Sequence, residues 1–337
     1  MTEADLEEIL SDPTPDLVSD LRQVDGDIIV LGAGGKMGPS LVRLARRATQ
    51  DAATPRRVVA VSRFSDPSTR AALDASGAET ISCDLFDADA VAALPDAPNV
   101  VYMAGRKFGT RDNAAATWAT NAYLPGVIAD RYRQSRIVAF STGNVYPLHP
   151  APGPGPTERD PVAPVGDYAV AALARERVFE FFSERHRTPM AIARLNYAIE
   201  PRYGVLRDIA DAVRGRRPID LAMGYVNLIW QRDANAVALR LLRQCAVPPL
   251  MLNVTGAVVL SVRELAEAFG RRFDVAPRFT GDEAATALLS DASESVRLFG
   301  APPVGISEMI EHVAEWMAAG GRSLGRPTHF TEREGTF

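Results

Sequence analysis

A glycine-rich run between an apolar segment and an amphipathic one is the first feature of this sequence that could do chemistry. The apolar segment is Asp27–Leu31, and the amphipathic one is Pro39–Arg47. Glycines allow a tight turn and close backbone approach to a ligand, and free N–H groups at a helix start attract phosphate. The order strand, loop, helix therefore predicts a site for the pyrophosphate of a dinucleotide. The candidate contacts are Gly32, Gly34, Gly35, Lys36, Met37 and Gly38.

The end of the second predicted strand bears on which dinucleotide is bound. NAD sites usually place an acidic residue there for the ribose hydroxyls. Here the strand Arg57–Val61 runs into Ser62 and Arg63, with no carboxylate. A hydroxyl and a guanidinium suit a 2′-phosphate, because arginine binds phosphate through paired, charge-assisted hydrogen bonds. The sequence favours NADP, and NAD is the alternative if Arg63 only stacks on the adenine or faces solvent.

Composition disfavours several other classes of function. The 337 residues carry 37 basic and 42 acidic side chains, a net charge of −5, so nothing favours nucleic acid or an anionic membrane as partner. No apolar run approaches the ~18 residues of a membrane helix, and the acidic N-terminus does not resemble a signal peptide. Two cysteines and four dispersed histidines lack metal-site spacing. We expect a cytoplasmic protein without a metal.

The elements that must position the glycine loop alternate along the chain. After the first two strands, β-rich runs are predicted at Glu79–Ser82, Asn99–Met103, Arg136–Phe140 and Met190–Leu195, mostly with Ala-rich helical stretches between them. Such alternation produces right-handed crossovers and a parallel sheet with helices on both faces. The predicted fold class is therefore α/β, a Rossmann doubly wound parallel sheet with a smaller C-terminal substrate-binding region.

The predicted organisation follows from where this alternation begins and weakens. A helical extension at 1–26 precedes the NAD(P)-binding domain at 27–198, and residues 226–246 return to that domain as a strand and a helix. The substrate-binding region comprises 199–225 and 247–330, followed by a tail at 331–337. In the extension, leucines at loosely helical spacing predict one or two short helices packed on the body. These leucines are Leu6, Leu10, Leu17 and Leu21.

Ordered segments along the chain carry a family resemblance. They are Gly32-x-x-Gly35-x-x-Gly38, Asp84-Leu85, Ala104–Lys107, Asn121, Phe140–Tyr146, Thr157–Pro164 with Tyr168, Arg194–Arg202, and the turn at Asp233. From about Asp27 to residue 316 the chain resembles the extended short-chain dehydrogenase/reductase family, the NAD-dependent epimerases and dehydratases. The resemblance implies hydride transfer between a nicotinamide cofactor and a carbinol carbon.

The resemblance also implies roles for individual residues. Tyr168 would act as acid and base, and Thr142 would hydrogen-bond the reacting oxygen. The implied cofactor contacts beyond the glycine loop are Ser62, Arg63, Asp84, Leu85, Ala104, Gly105, Asn121 and Tyr168. The implied substrate contacts are Asn144, Asn196 and Arg202.

One departure from the family concerns the charge beside the tyrosine. The family carries Tyr-x-x-x-Lys, whose lysine lowers the tyrosine pKa, but Ala172 stands four residues after Tyr168. Only Lys36 and Lys107 are lysines in this chain. We hypothesise that Lys107, on the turn that passes the ribose, supplies the missing charge as a catalytic residue; a plain loop or cofactor contact is the alternative. Arg175 is expected to lie too far away, and Lys36 to be exposed at the loop tip.

Two further departures bear on the substrate. Family dehydratases place Asp-Glu after the threonine, where Gly143-Asn144 stand here, which disfavours sugar dehydration. Nucleotide-sugar epimerases carry an arginine for the diphosphate at the position of Val226. These departures favour a small polar carbohydrate-like substrate, a free sugar, sugar acid or lactone, over a nucleotide sugar.

Three functions stay open on the sequence. The first is an NAD(P)-dependent oxidoreductase or epimerase acting on such a substrate. The second is a non-catalytic NAD(P)-binding sensor or partner-binding protein, and the third is a non-redox isomerase or lyase. A homodimer formed through the helices that bear Asn121 and Tyr168 is implied by the resemblance.

Overall fold

The computed structural model describes residues 1–110, 112–325 and 328–336. Its strands are β1 Ile28–Leu31, β2 Val58–Ser62, β3 Glu79–Ser82, β4 Asn99–Tyr102, β5 Arg136–Thr142, β6 His149–Pro150, β7 Met190–Leu195, β8 Ala198–Ile199, β9 Pro218–Asp220, β10 Tyr225–Val226, β11 Ile229–Trp230, β12 Leu250–Val254, β13 Leu260–Ser261, β14 Arg278–Thr280 and β15 Thr286–Ala287. Its helices are α1 Glu3–Ile9, α2 Pro15–Leu21, α3 Gly38–Asp51, α4 Pro67–Ala75, α5 Ala88–Ala92, α6 Ala114–Trp118, α7 Leu124–Arg131, α8 Gly166–His186, α9 Val205–Arg214, α10 Gln231–Arg240, α11 Val262–Phe273, α12 Ser293–Phe299 and α13 Ile306–Ala318.

Seven parallel strands form the central sheet, in the order β12-β7-β5-β4-β1-β2-β3. Strand β1 lies between β2 and β4, with Ile28 opposite Val58 on one side and Asn99 on the other. From β1 the chain adds β2 and β3 toward one edge of the sheet. It then adds β4, β5, β7 and β12 toward the other edge. The cleft at the carboxyl ends of β1 and β4 is where such sheets bind ligands. The predicted α/β class and the doubly wound sheet are confirmed.

Apolar cores cover both faces of the sheet. Alternate residues of β1 point to opposite faces, so that Ile28 and Val30 join one core, and Ile29 and Leu31 join the other. The first core includes side chains of α2, α3 and α10, and the second includes side chains of α5, α7 and α8. This two-sided burial explains why the strands are apolar runs rather than alternating sequences.

A third core holds the C-terminal region together. It combines side chains of α9, α11 and α13 with the fully buried Trp230. The N-terminal extension forms the two predicted helices, and its four leucines are fully buried. Leu6 and Leu10 of the extension join this third core, whereas Leu17 and Leu21 join a sheet core. The extension therefore ties the two regions together.

One part of the predicted organisation differs from the structure. Within 226–246, the short strand β11 pairs with β8 outside the central sheet, whereas α10 and residues 241–243 after it pack on that sheet. The seventh strand of the sheet is β12, which pairs with β7 from Leu250 to Val254. A parallel strand must follow its crossover helix, so the strand that joins β7 comes after α10 rather than before it.

Candidate active site

The glycine loop joins β1 to α3 at the centre of the cleft. Gly32 has a left-handed φ of +91°, and a Cβ there would lie 2.6 Å from the backbone nitrogen of Ala104. A Cβ on Gly38 would lie 2.3 Å from the carbonyl oxygen of Ala33. Larger residues at these two positions would push the loop away from β4 or from the start of α3. The loop thus keeps the N-terminus of α3 open toward the cleft.

Two adjoining cavities lie on either side of this loop. One measures about 650 Å³ and the other about 440 Å³, and both are lined by Gly32, Gly34, Gly35, Gly105 and Arg106. Because they share these walls, they form one extended cleft across the carboxyl edge of the sheet. An extended cleft centred on a glycine loop at a helix start has the layout that a dinucleotide requires.

The smaller cavity matches the predicted adenosine end. Its walls include Ser62, Arg63, Asp84, Leu85 and Ala104. Arg63 is exposed, and the Asp84 carboxylate accepts a hydrogen bond from the backbone of Phe86.

The larger cavity brings together the predicted chemistry-bearing residues. Its walls include Lys36, Met37, Gly38, Lys107, Thr142, Asn144, Tyr168 and Asn196. Thr142 ends β5, and its side chain forms a hydrogen bond with Tyr168, in the first turn of α8. Burial raises the pKa of Tyr168, while the charge of Arg175 and the hydrogen bond to Thr142 act in the opposite direction.

Asn121 lies behind the wall of the cleft and lines neither cavity, and its contact with the cofactor stays a prediction. It is fully buried; its amide donates to the Arg106 carbonyl, and its side-chain oxygen accepts from the Arg106 backbone at 3.0 Å and from Arg175. These bonds fix the turn after β4, so Asn121 positions the cavity wall.

Arg202, a predicted substrate contact, forms ion pairs within the chain. Its guanidinium pairs with Glu200 and, from the N-terminal extension, with Glu3 and Glu7. Three carboxylates around one nearly buried arginine satisfy its charge, and Arg202 does not line either cavity. The sequence could not show this, because Glu3 and Glu7 are almost 200 positions away from Arg202.

Lys36 points inward instead of lying exposed at the loop tip. Its ammonium group donates to the carbonyl of Ala198 at 3.3 Å and lies 4.8 Å from the centroid of the Tyr203 ring. Burial lowers the pKa of Lys36 to about 8. Lys36 therefore reaches across the cleft to the C-terminal region.

Two cations approach Tyr168 where the family lysine is missing. Ala172 is fully buried against Val145 and Tyr146. Lys107 lies with its nitrogen 5.8 Å from the centroid of the Tyr168 ring, and burial lowers the pKa of Lys107 to about 8. Arg175, expected to lie too far away, lines the cavity and donates to the Phe140 carbonyl at 2.7 Å.

The two cations are expected to affect Tyr168 differently. Arg175→Met is expected to raise the pKa of Tyr168, because it removes a positive charge that favours the phenolate. Lys107→Met is expected to change it less, because an ammonium with a pKa of about 8 loses its charge before Tyr168 ionises. The tyrosinate absorbance of each variant is measured against pH, and that of the same variant carrying Tyr168→Phe is subtracted. The difference reports the titration of Tyr168 alone. If Lys107→Met shifts the pKa of Tyr168 and Arg175→Met does not, then Lys107 is the cation that lowers this pKa.

A buried ion pair that the sequence analysis missed supports the end of β5. Glu176 and Arg194 are almost fully buried and pair at 2.7 Å. Glu176 also accepts a hydrogen bond from Ser141 at 2.5 Å, and Arg194 donates to the Tyr146 hydroxyl at 2.7 Å. Its only sequence signal was the position of Glu176, eight residues after Tyr168 on the same helix face.

Neither a metal site nor a membrane-spanning helix is found among the described residues. Among the described residues, no group of three or more His, Cys, Asp or Glu side chains is placed to hold a metal ion. None of the helices within the described ranges is both long and apolar enough to cross a membrane.

Comparison with known proteins identifies the family. The model of the NAD dependent epimerase/dehydratase family matches residues 28–213. The match spans the glycine loop, both cavities' main walls and the Thr142–Tyr168 pair, and it covers more than half of the chain. The chain belongs to this family, which is a family of enzymes, and the predicted resemblance is confirmed. No curated protein matches the sequence significantly.

Solved structures share the fold at low sequence identity. UDP-glucuronic acid 4-epimerase from Bacillus cereus, in complex with NAD, is 15% identical, with a TM-score of 0.70 over 87% of this chain and 98% of that chain. The UDP-Glc/GlcNAc 4-epimerase from Campylobacter jejuni is 20% identical, with a TM-score of 0.71 over 88% and 100% of the two chains. DesIV, a dTDP-glucose 4,6-dehydratase from Streptomyces venezuelae with NAD and TYD bound, is 17% identical, with a TM-score of 0.72 over 87% and 97%. At these identities the likeness concerns the fold alone.

Proposed function

We propose that the protein transfers a hydride between a nicotinamide cofactor and a carbinol carbon of a carbohydrate-like substrate. The observation that carries the proposal is the hydrogen-bonded pair of Thr142 and Tyr168 in a cavity continuous with the glycine loop. A bound nicotinamide would supply the hydride acceptor or donor.

The residues of the chain then handle the proton. Thr142 holds the substrate oxygen by a hydrogen bond, and Tyr168 removes the hydroxyl proton during oxidation and returns it during reduction. The permanent positive charge of Arg175 favours the phenolate form of Tyr168. The result is net oxidation, net reduction, or epimerisation when the transient ketone is reduced on its other face.

For the substrate we propose a free sugar, sugar acid or lactone. Val226, where the resemblance expects a diphosphate-binding arginine, is fully buried in β10 and offers no charge. The names of the compared structures favour the opposite conclusion, since they include UDP- and dTDP-sugar enzymes. A substrate panel must therefore contain both classes.

For the cofactor we propose NADP over NAD. Ser62 and Arg63 line the smaller cavity. Two of the solved structures named above contain NAD instead. Arg63→Ala is expected to weaken NADPH binding about tenfold or more, because a charged hydrogen bond contributes about 1.5 to 3 kcal/mol. NADH binding should stay within about twofold. Calorimetry measures both affinities, with Arg70→Ala as control, since Arg70 is exposed on α4 outside both cavities. Equal losses for NADH and NADPH would contradict the phosphate contact.

The reaction itself is tested by isotope transfer. The protein is incubated with cofactor deuterated at the reactive nicotinamide carbon and with oxidised members of the panel. We expect deuterium on a carbinol carbon of the product. A ligand that binds beside the cofactor with no exchange of label would favour the second candidate, a non-catalytic NAD(P)-binding sensor, which the apolar Ala172 supports.

We also propose a homodimer formed through α6, α7 and α8. Large apolar side chains are exposed along these helices and the π-helical segment Ala119–Tyr123 between α6 and α7. They are Trp118, Tyr123 and Phe181. An exposed aromatic set on neighbouring helices is typical of a subunit interface.

A further inference from the structure

The C-terminal strap, residues 322–325 and 328–336, is fastened to the substrate-binding region. The backbone nitrogen and the hydroxyl of Thr328 donate to the Asp208 carboxylate at 2.8 and 2.5 Å. The Tyr197 hydroxyl donates to the carbonyl of Phe330, whose ring is buried in the C-terminal core. Arg333 donates to the Thr286 carbonyl at 2.9 Å. The strap is therefore a packed part of this region.

The same strap also contacts the cofactor-binding domain. The ring of His329 lies 6.2 Å from that of Phe108, one residue after Lys107. Gly335 packs on the chain just before Tyr168, where a Cβ on Gly335 would lie 2.1 Å from the carbonyl oxygen of Val165. The strap thus runs from one side of the larger cavity to the other.

Two strap residues on the N-terminal side of the contacts with Phe108 and Val165 form part of the cavity wall. Leu324 and Thr328 line the larger cavity together with Lys107, Tyr168 and the glycine loop. A segment that lines a cavity and is fastened on both sides closes one side of that cavity. A nicotinamide ring beside Tyr168 would leave along a path that the strap narrows.

We propose that the C-terminal strap retains the nicotinamide cofactor in the cleft between the two halves of one reaction. This inference rests on the proposed function. Of the three results given there, net oxidation, net reduction and epimerisation, it specifies epimerisation. In that reaction the hydride taken from the carbinol carbon returns to the opposite face of the ketone, and Tyr168 takes and returns the proton. No external oxidant or reductant is consumed, so a retained cofactor serves every turnover.

The test compares two glycines of the strap. Gly335→Ala places a methyl group against Val165. Gly325 has a similar left-handed φ, +67° against +73°, and no described residue outside its chain neighbours lies within 4 Å of its Cβ. The backbone strain is therefore matched, and only Gly335→Ala disturbs the attachment. In the full-length protein, the bound NADPH or NADH is displaced, and its dissociation rate is measured from the change in nucleotide fluorescence. We expect Gly335→Ala to raise the rate at least tenfold, with Gly325→Ala within twofold of wild type.

Asp208→Ala provides a second way to release the strap. It removes the carboxylate that holds Thr328 and lies outside the larger cavity. Thermal unfolding shows which variants are folded. Unchanged dissociation in every folded variant of Gly335 and Asp208, with wild-type binding intact, would overturn the strap proposal alone. Failure of the wild type to bind any nicotinamide dinucleotide would overturn the proposed function as well.

Discussion

Tyr168→Phe is expected to lower the rate of hydride transfer by about 10²- to 10⁴-fold, the usual contribution of a positioned acid and base. Cofactor affinity should change little, because the ring of Tyr168 remains in the cavity wall. Single-turnover measurement of nicotinamide absorbance separates the chemical step from binding. Tyr123→Phe is the control, since Tyr123 is 63% exposed and lines neither cavity.

The expected loss follows from the position of the hydroxyl. It is hydrogen-bonded to Thr142, so both groups can reach one substrate oxygen. Removing the hydroxyl leaves that oxygen positioned but without a proton acceptor. A Tyr168→Phe variant that transfers hydride at the wild-type rate would show that another group handles the proton, and Lys107 would then be the first to examine.

Glu176→Gln is expected to lower the free energy of unfolding by about 3 to 5 kcal/mol. The substitution leaves the buried guanidinium of Arg194 without its counter-charge. Denaturant unfolding measures the loss. Glu180→Gln on the same helix is the matched control, because Glu180 pairs with an arginine that is 55% exposed, and such pairs contribute about 0 to 1 kcal/mol. Equal effects of the two substitutions would contradict the account.

The Glu176 prediction also bears on the site. Ser141 donates to Glu176 and immediately precedes Thr142, so the ion pair holds the end of β5. A folded Glu176→Gln variant should therefore show slower hydride transfer while its cofactor affinity is retained.

Features set by local sequence were predictable. Strand β7 was predicted with its observed bounds, and the glycine loop was placed correctly, because burial on both faces and glycine conformations leave strong local signals. The helical spacing of the leucines in the extension also predicted helices there, and the structure places Leu6 in α1, and Leu17 and Leu21 in α2. Both catalytic candidates on β5 and α8 meet in one cavity because parallel strands bring their carboxyl ends to one edge.

Features set by distant partners were not predictable. Arg202 forms ion pairs with Glu3 and Glu7 of the extension, and Lys36 points inward and donates to the carbonyl of Ala198. The reach of Arg175 into the cavity depends on the length of its side chain and on Asn121, which holds its other nitrogen. Nothing in the sequence indicated that Thr328 would line the cavity.

The central claim is that the cleft binds a nicotinamide dinucleotide. Calorimetric titration of cofactor-free protein with NAD⁺, NADH, NADP⁺ and NADPH tests it most directly. The account predicts binding of one molecule per chain, with the NADP forms bound more tightly. Protein whose absorbance shows no nicotinamide already bound, and which binds none of the four, would contradict it.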